Sequence, residues 1–337
     1  MNNFYQLKVS KINQLTPDAV EITFSISEEV KDIFRFQAGQ YVTIKHEING
    51  EDIRRSYSLC SNPNSTNISI GVKRIENGKM STFLTRELEV GNYLSVMPPL
   101  GSFVLNGDRV VGICAGSGIT PILSMMKTEV SDFVLIYGNK KRDSAMFLDD
   151  INKMSVKSYF SYSRENVPNC FHGRVNNDVL KEIHRSINFL EFDYFYLCGP
   201  NEMISNVEEY LLSINVPKNK ILFEKFTSDD IIQDSEELSL DEVVTSDVTV
   251  IIDGDEFEYQ LSSDAETILD SAMEEGADLP FSCKGAVCCV CKAKVIEGKV
   301  KMKQNFSLSE EEVDEGYILT CQSHPITEKV VVDYDEI

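Results

Sequence analysis

Four cysteines near the end of the chain, Cys283, Cys288, Cys291 and Cys321, follow the order C-x4-C-x2-C with a long gap to the fourth. That spacing holds a plant-type [2Fe–2S] cluster, in which four thiolates converge on two irons and backbone N–H groups face the sulfurs. Such a centre carries one electron at a time, so the remaining chain is expected to feed it. In the loop Ser282-Cys283-Lys284-Gly285-Ala286-Val287-Cys288-Cys289-Val290-Cys291, Gly285 and the small Ala286 are expected to let the backbone curl tightly. Cys289 competes with Cys288 as a ligand, but using it would change both gaps. A structural zinc site would show paired C-x2-C knuckles, and only one such pair exists here. With no leader at the start of the sequence, a reducing cytoplasm is expected, which disfavours disulfides. Cys60, Cys114 and Cys170 have no partners at ligand spacing and read as buried small apolar residues.

The flanking segments position this loop. Thr267–Met273 has the apolar spacing of a short helix, and Lys292–Ile296 alternates as a half-buried strand before the turn Glu297-Gly298. The apolar run Tyr317-Ile318-Leu319 would hold Cys321 beneath the loop. Residues 1–105 read as short strands with turn punctuation, among them Ala19–Phe24, Tyr41–Ile44 and Ile68–Val72, a pattern that predicts an antiparallel barrel. Within it, Arg54-Arg55-Ser56-Tyr57-Ser58-Leu59 combines cation, aromatic ring and hydroxyl on one strand. Gly78-Lys79-Met80-Ser81-Thr82-Phe83-Leu84 opens a helix whose first N–H groups suit a pyrophosphate. Beside a one-electron cluster, the two segments together fit a flavin nucleotide. From residue 106 apolar strands alternate with helices: Val110–Ala115 runs straight into Gly116-Ser117-Gly118-Ile119-Thr120-Pro121. This strand, glycine turn and helix order cradles phosphate on a parallel sheet, with Pro121 pre-setting the first helical turn. Phe133–Tyr137 and Tyr194–Cys198 are further strands, ending in Gly138-Asn139 and Gly199-Pro200.

The net charge of −22 is uneven, with −1 over residues 1–227 and −14 over residues 246–337. An acidic C-terminal module argues against nucleic acid as a partner, and either steers docking to a basic surface or only solubilises the module. Residues 228–245 carry seven acids and no base, as a charged tether between domains would. No stretch reaches the length of apolar sequence needed to span a membrane, so none is expected as a partner.

These motifs, taken over the full length, resemble ferredoxin–NADP reductase-type flavoproteins fused to a C-terminal plant-type ferredoxin, the arrangement of reductase components that serve oxygenases. Within that group the likeness is strongest to the subgroup serving phenylacetyl-CoA epoxidases, carried by Cys283–Cys291, Val295-Ile296-Glu297-Gly298 and Cys321-Gln322-Ser323. The resemblance implies a multidomain α/β and β fold. An antiparallel β-barrel FAD domain would occupy residues 1–105 and a parallel-sheet NAD(P) domain residues 106–227. An acidic linker over 228–245 would lead to a β-grasp ferredoxin domain over 246–337. It implies that Arg55, Tyr57 and Ser58 meet the FAD pyrophosphate, the ring face and N5. Gly78, Met80, Ser81 and Thr82 would form the second pyrophosphate segment, and Val72 and Lys73 backbone contacts beside the ring. Gly116, Gly118, Thr120 and Pro121 would bind the nicotinamide nucleotide, bordered by Cys198, Gly199 and Pro200. Glu224 and Phe226 would lie near the flavin, with Ser58, Cys198 and Glu224 as the catalytic set. Cys283, Cys288, Cys291 and Cys321 would ligate the cluster. Electrons would pass from NADPH through FAD and the [2Fe–2S] cluster to an oxygenase component.

Ser163 and Arg164, with Arg142, fit the 2′-phosphate of NADPH. No acid is evident there to grip a ribose diol, though NADH remains possible. The alternatives are the same machinery serving a Rieske or other di-iron oxygenase, a desaturase or a ferric chelate, and a non-enzymatic protein whose cysteines take zinc.

Overall fold

A computed structural model describes residues 4–226 and 243–336, which fall into two compact units, Phe4–Phe226 and the segment from Thr227 onward. The expected tether lies outside the described residues except for its last three positions.

The first unit begins with six strands, β1 (Tyr5–Thr16), β2 (Ala19–Ser25), β3 (Tyr41–Ile48), β4 (Glu51–Ser58), β5 (Ile68–Lys73) and β6 (Tyr93–Val96), in the order β4-β3-β6-β1-β2-β5. All the pairings are antiparallel. The outer strands meet through a bridge between Leu59 and Ile70, with the Cys60 N–H donating to Ser69 O at 2.8 Å. That contact closes the barrel and removes most of the exposed edge. Alternation on β2 turns Val20, Ile22 and Phe24 inward, where they pack with Val9, Ile44 and Val72. Helix α1 (Lys79–Arg86) lies against β3, β4 and β5, with Met80, Ser81 and Leu84 as its buried face.

The chain then enters a wholly parallel sheet of β7 (Arg109–Ala115), β8 (Asp132–Asn139), β9 (Lys157–Tyr162), β10 (Phe171–His172), β11 (Tyr194–Cys198) and β12 (Ile221–Glu224). Its order is β10-β9-β8-β7-β11-β12. Val110 to Cys114 are fully buried because helices cover both faces. Helix α2 (Ile119–Met126) and α3 (Leu148–Lys153) lie on one side, α4 (Asn177–Ser186) and α5 (Asn201–Ser213) on the other. Strands β8 and β11 flank β7 on opposite sides, so the order reverses there and leaves a crevice at the carboxyl ends. Barrel and sheet are joined by polar contacts: Ser124 donates to Ser61 O and Lys127 Nζ to Cys60 O, each at 2.8 Å. The Tyr196 hydroxyl meets the connecting segment at Val104 O, 3.1 Å.

The second unit is a five-stranded mixed sheet, β14-β13-β19-β15-β17, from β13 (Thr245–Ile252), β14 (Asp255–Ser262), β15 (Lys292–Glu297), β17 (Tyr317–Leu319) and β19 (Lys329–Asp333). Helix α6 (Ile268–Glu274), capped by Thr267, packs Ile268, Leu269 and Ala272 onto Val248, Val250, Val330 and Val332. This is the β-grasp arrangement. A side ribbon pairs β16 (Val300–Met302) with β18 (Ser323–Pro325), and α7 (Glu310–Asp314) follows β16, closed by a Ser309–Glu312 capping box.

Candidate active site and cluster loop

On β4 the pleat separates two arginines. Arg54 is buried and pairs with Asp52 at 3.1 Å, whereas Arg55 is exposed and donates to the Arg54 carbonyl at 2.7 Å. Arg55 is therefore the guanidinium free to meet a diphosphate. Tyr57, half-buried on the barrel rim, follows it on the same face, and burial pushes its phenol up. Val72 is fully buried and Lys73 pairs with Asp18 at 3.6 Å; both lie on β5, an outer strand joined beyond β2 only by the Leu59 bridge. At the start of α1, Gly78 is the cap, and the Ser81 hydroxyl is spent on the turn itself, accepting from Ile75 N–H and donating to Gly78 O. What this turn offers an anion is the set of first-turn N–H groups that every helix leaves unpaired.

Strand pairing brings the junction together. Cys198 at the end of β11 stands in register with Cys114 on β7 and Glu224 on β12. Glu224 accepts a hydrogen bond from Ser58 Oγ at 3.2 Å, across 166 residues. Burial pushes its carboxyl up to about 8 against the opposing pull of Ser58, so the group is mostly neutral at pH 7. Burial, reinforced by Glu224 nearby, raises the Cys198 thiol well above its ordinary range. Phe226, expected beside the flavin, is 38 % exposed at the end of this unit.

The nucleotide loop is built on close approach. A methyl group on Gly118 would stand 2.1 Å from Cys198 O, and Gly116 adopts the left-handed region at φ +58°. Gly118 therefore demands glycine, and the backbone at Gly116 favours it. Thr120 is buried and donates to Ser117 O at 3.0 Å; Pro121 sits buried in the first turn of α2. Gly199 and Pro200 lead from β11 into α5. At the carboxyl end of β8 the buried Asn139 side chain lies beside the Tyr137 hydroxyl, its Nδ2 without a well-formed hydrogen bond among the described residues.

Beyond it, Lys141, Arg142, Asp143, Arg164 and Glu165 line a cleft of about 540 Å³. The Ser163 and Arg164 N–H groups are fixed by Asn139 O and Lys140 O, each at 2.9 Å. The expectation that no acid stands here is corrected: Glu165 Oε2 accepts from the Arg142 N–H at 2.7 Å, and Asp143 shares the wall. The sequence put Glu165 next to Arg164, but only the turn after β8 shows that it folds back to Arg142.

The cluster loop departs from the expected role of glycine. The left-handed positions are Lys284, Ala286 and Cys289, with φ of 50°, 63° and 51°. Three non-glycine residues in that region within one short loop store strain, as functional loops do. Amide groups face the sulfurs: Gly285 N–H donates to Cys283 Sγ at 3.2 Å and Cys283 N–H to Cys288 Sγ at 3.5 Å. The thiols form two pairs, Cys283 with Cys288 and Cys291 with Cys321, and in each pair contact between the sulfurs lowers one thiol and raises the other. Among the described residues no three His, Cys, Asp or Glu groups converge on a single-ion position. The two pairs lie within electrostatic reach of each other, an arrangement that fits a two-iron core with two thiolates per iron. Cys289 is turned toward Ser307, with burial pushing its thiol up to about 11.

Sequence reasoning missed what braces the fourth ligand. Thr320 and Tyr334 share a buried hydroxyl contact at 2.6 Å, Thr320 donates to Cys291 O at 3.1 Å, and Gln322 Nε2 reaches Lys284 O at 3.1 Å. Only the adjacency of Thr320 and Gln322 to Cys321 hinted at it.

Comparison with known proteins agrees with this geometry. Residues 6–105 match an oxidoreductase FAD-binding domain, 113–209 an oxidoreductase NAD-binding domain, and 250–325 a 2Fe-2S iron-sulfur cluster binding domain. The chain is 38 % identical to a subunit of the 1,2-phenylacetyl-CoA epoxidase of Escherichia coli (strain K12), over 99 % of both chains. It is 29 % identical to the ferredoxin reductase component of 3-ketosteroid-9-alpha-monooxygenase of Rhodococcus rhodochrous, over 97 % of this chain and 96 % of that one. Among solved structures, phthalate dioxygenase reductase shares the fold, with a TM-score of 0.62, 21 % identity and 98 % coverage of both chains. The protein is an oxidoreductase that uses FAD, NAD(P)H and a [2Fe–2S] cluster, and it belongs to the family of flavin- and [2Fe–2S]-containing reductase components.

Proposed function

We propose that this reductase draws on NADPH and delivers electrons to an oxygenase component, specifically a phenylacetyl-CoA epoxidase. The observation that carries the acceptor is the 38 % identity to an epoxidase subunit across 99 % of both chains. When bound, FAD takes a hydride from the reduced nicotinamide and the cluster passes electrons on singly. The chain supplies position and charge. Arg55 and the first turn of α1, at Gly78, Met80, Ser81 and Thr82, hold the flavin diphosphate; Tyr57 covers the ring, and the end of β5 at Val72 and Lys73 borders it. Gly116, Gly118, Thr120 and Pro121 seat the nicotinamide nucleotide against Cys198, Gly199 and Pro200. Ser58 Oγ and Glu224 Oε2 hold a proton between barrel and sheet, and Cys283, Cys288, Cys291 and Cys321 hold the cluster. The domains run over 1–105, 106–227 and 246–337. A cytoplasmic location is supported by Cys60, Cys114, Cys170, Cys198 and Cys289, which stand outside the cluster as free thiols.

Reconstitution tests the acceptor: NADPH-dependent epoxidation of phenylacetyl-CoA should appear when the protein is combined with the epoxidase's oxygenase subunits. Turnover with a Rieske oxygenase and none with the epoxidase would reverse the assignment. The preference for NADPH rests on Arg142 and Arg164 in the 540 Å³ cleft. Arg164→Ala should raise KM for NADPH about tenfold or more while leaving KM for NADH within about twofold. Equal effects on the two would remove the 2′-phosphate role and favour Glu165 as a ribose ligand.

A further inference from the structure

We infer that Tyr137 is a positioning residue that fixes the start of the nucleotide loop through its hydroxyl. The inference rests on assigning the Gly116–Pro121 loop to the nicotinamide nucleotide. Tyr137 lies near the carboxyl end of β8 and is fully buried, with an ordinary apolar environment around its ring. Its hydroxyl has two carbonyls in reach, Gly116 O at 2.9 Å and Met146 O at 3.4 Å. A phenol has one proton to donate. The shorter contact takes it, and that contact falls on the left-handed glycine that starts the loop.

Packing of the loop and of the neighbouring Phe147 against the barrel explains why this matters for hydride transfer. Met146 precedes Phe147, itself held left-handed at φ +58°. The Phe147 ring and the Thr120 methyl close over Gly71 on β5: a methyl group added at Gly71 would stand 2.9 Å from Phe147 Cε2 and 2.6 Å from Thr120 Cγ2. Gly71 immediately precedes Val72 and Lys73. The Tyr137 hydroxyl thus fixes the start of a loop whose own Thr120 packs on the barrel strand beside the proposed flavin ring. The device sets the relative placement of the two reacting rings without touching either.

Tyr137→Phe keeps the ring and removes only the hydroxyl, leaving the half-buried Gly116 carbonyl without this donor. The holoenzyme variant should keep its FAD and cluster absorbance and its dithionite reduction. Its KM for NAD(P)H should rise about 5- to 20-fold, with a smaller fall in kcat. NADP+ titration followed by the flavin difference spectrum gives a second measure, in which the dissociation constant should rise by the same factor. Gly118→Ala is the control for the loop assignment, because its methyl group collides with Cys198 O. If Gly118→Ala leaves KM unchanged, the loop assignment fails and the Tyr137 role with it. If Gly118→Ala raises KM and Tyr137→Phe changes neither KM nor the NADP+ titration, the Tyr137 role is refuted while the loop assignment stands. A lowered melting temperature with unchanged nucleotide constants would likewise reduce Tyr137 to a packing residue.

Discussion

Cys288→Ala should abolish the visible and electron-paramagnetic signature of the cluster and all delivery to the oxygenase, while NAD(P)H oxidation with a dye that accepts directly from flavin stays within about twofold. The expectation follows from the division of the molecule. Phe4–Phe226 forms its own compact unit with its own cores. Removing Cys288 leaves Cys283 without its sulfur partner, so one of the two thiol pairs is lost. Cys289 is no substitute: its side chain turns toward Ser307, and its left-handed backbone fixes that direction. Cys289→Ser should therefore leave the cluster intact. A variant at Cys288 that loses dye reduction as well would show that flavin reduction depends on the cluster domain, and a variant that keeps its cluster would move the ligand to Cys289.

The same division explains what could be read from the sequence. The run Val110–Cys114 announced a strand buried on both faces, and its direct passage into Gly116 to Pro121 announced the loop, because both signals are local. The four cysteines were legible for the same reason. What escaped depends on contacts between distant segments. The bond from Ser58 to Glu224 spans 166 residues, and the closure of the barrel between Leu59 and Ile70 comes from sheet curvature. Arg54 and Arg55 are indistinguishable in a list of residues, yet strand phase buries one and frees the other. Glu165 was visible but could not be placed beside the Arg142 N–H until the loops after β8 and β9 were set side by side. In the cluster loop the sequence pointed to Gly285 and Ala286; Ala286 does turn left-handed, but Lys284 and Cys289 share that strain rather than Gly285. Composition identifies a tight loop, but which residues bear its strain is decided by where the sulfurs must point.

Glu224→Gln should lower the rate of NAD(P)H oxidation about 100-fold and erase a pH dependence that the unaltered protein shows. The Glu224 carboxyl is neutral below about pH 8 because burial outweighs the hydrogen bond from Ser58. Two consequences share that cause. For activity, the neutral acid could relay a proton through Ser58, whose hydroxyl would give up its own proton toward the flavin site as it takes that of Glu224, and the carboxylate could not, so kcat/KM should fall as pH rises through 8; glutamine has no proton to pass and its profile should be flat there. For stability, the folded pKa lies above the unfolded value near 4.5, so folding binds protons. The contribution is complete below pH 4.5 and is lost as pH climbs to 8, with an upper bound of about 5 kcal/mol. Melting temperatures of the NAD(P)H-free protein should accordingly decline between pH 5 and about pH 8 more steeply for the natural chain than for Glu224→Gln. Parallel melting curves would mean that the carboxyl is ionised in the folded state. A Glu224→Gln enzyme with full rate and an unaltered limb near pH 8 would transfer the proton's place at this junction to another group, with the Cys198 thiol, in register with Glu224, the first to examine.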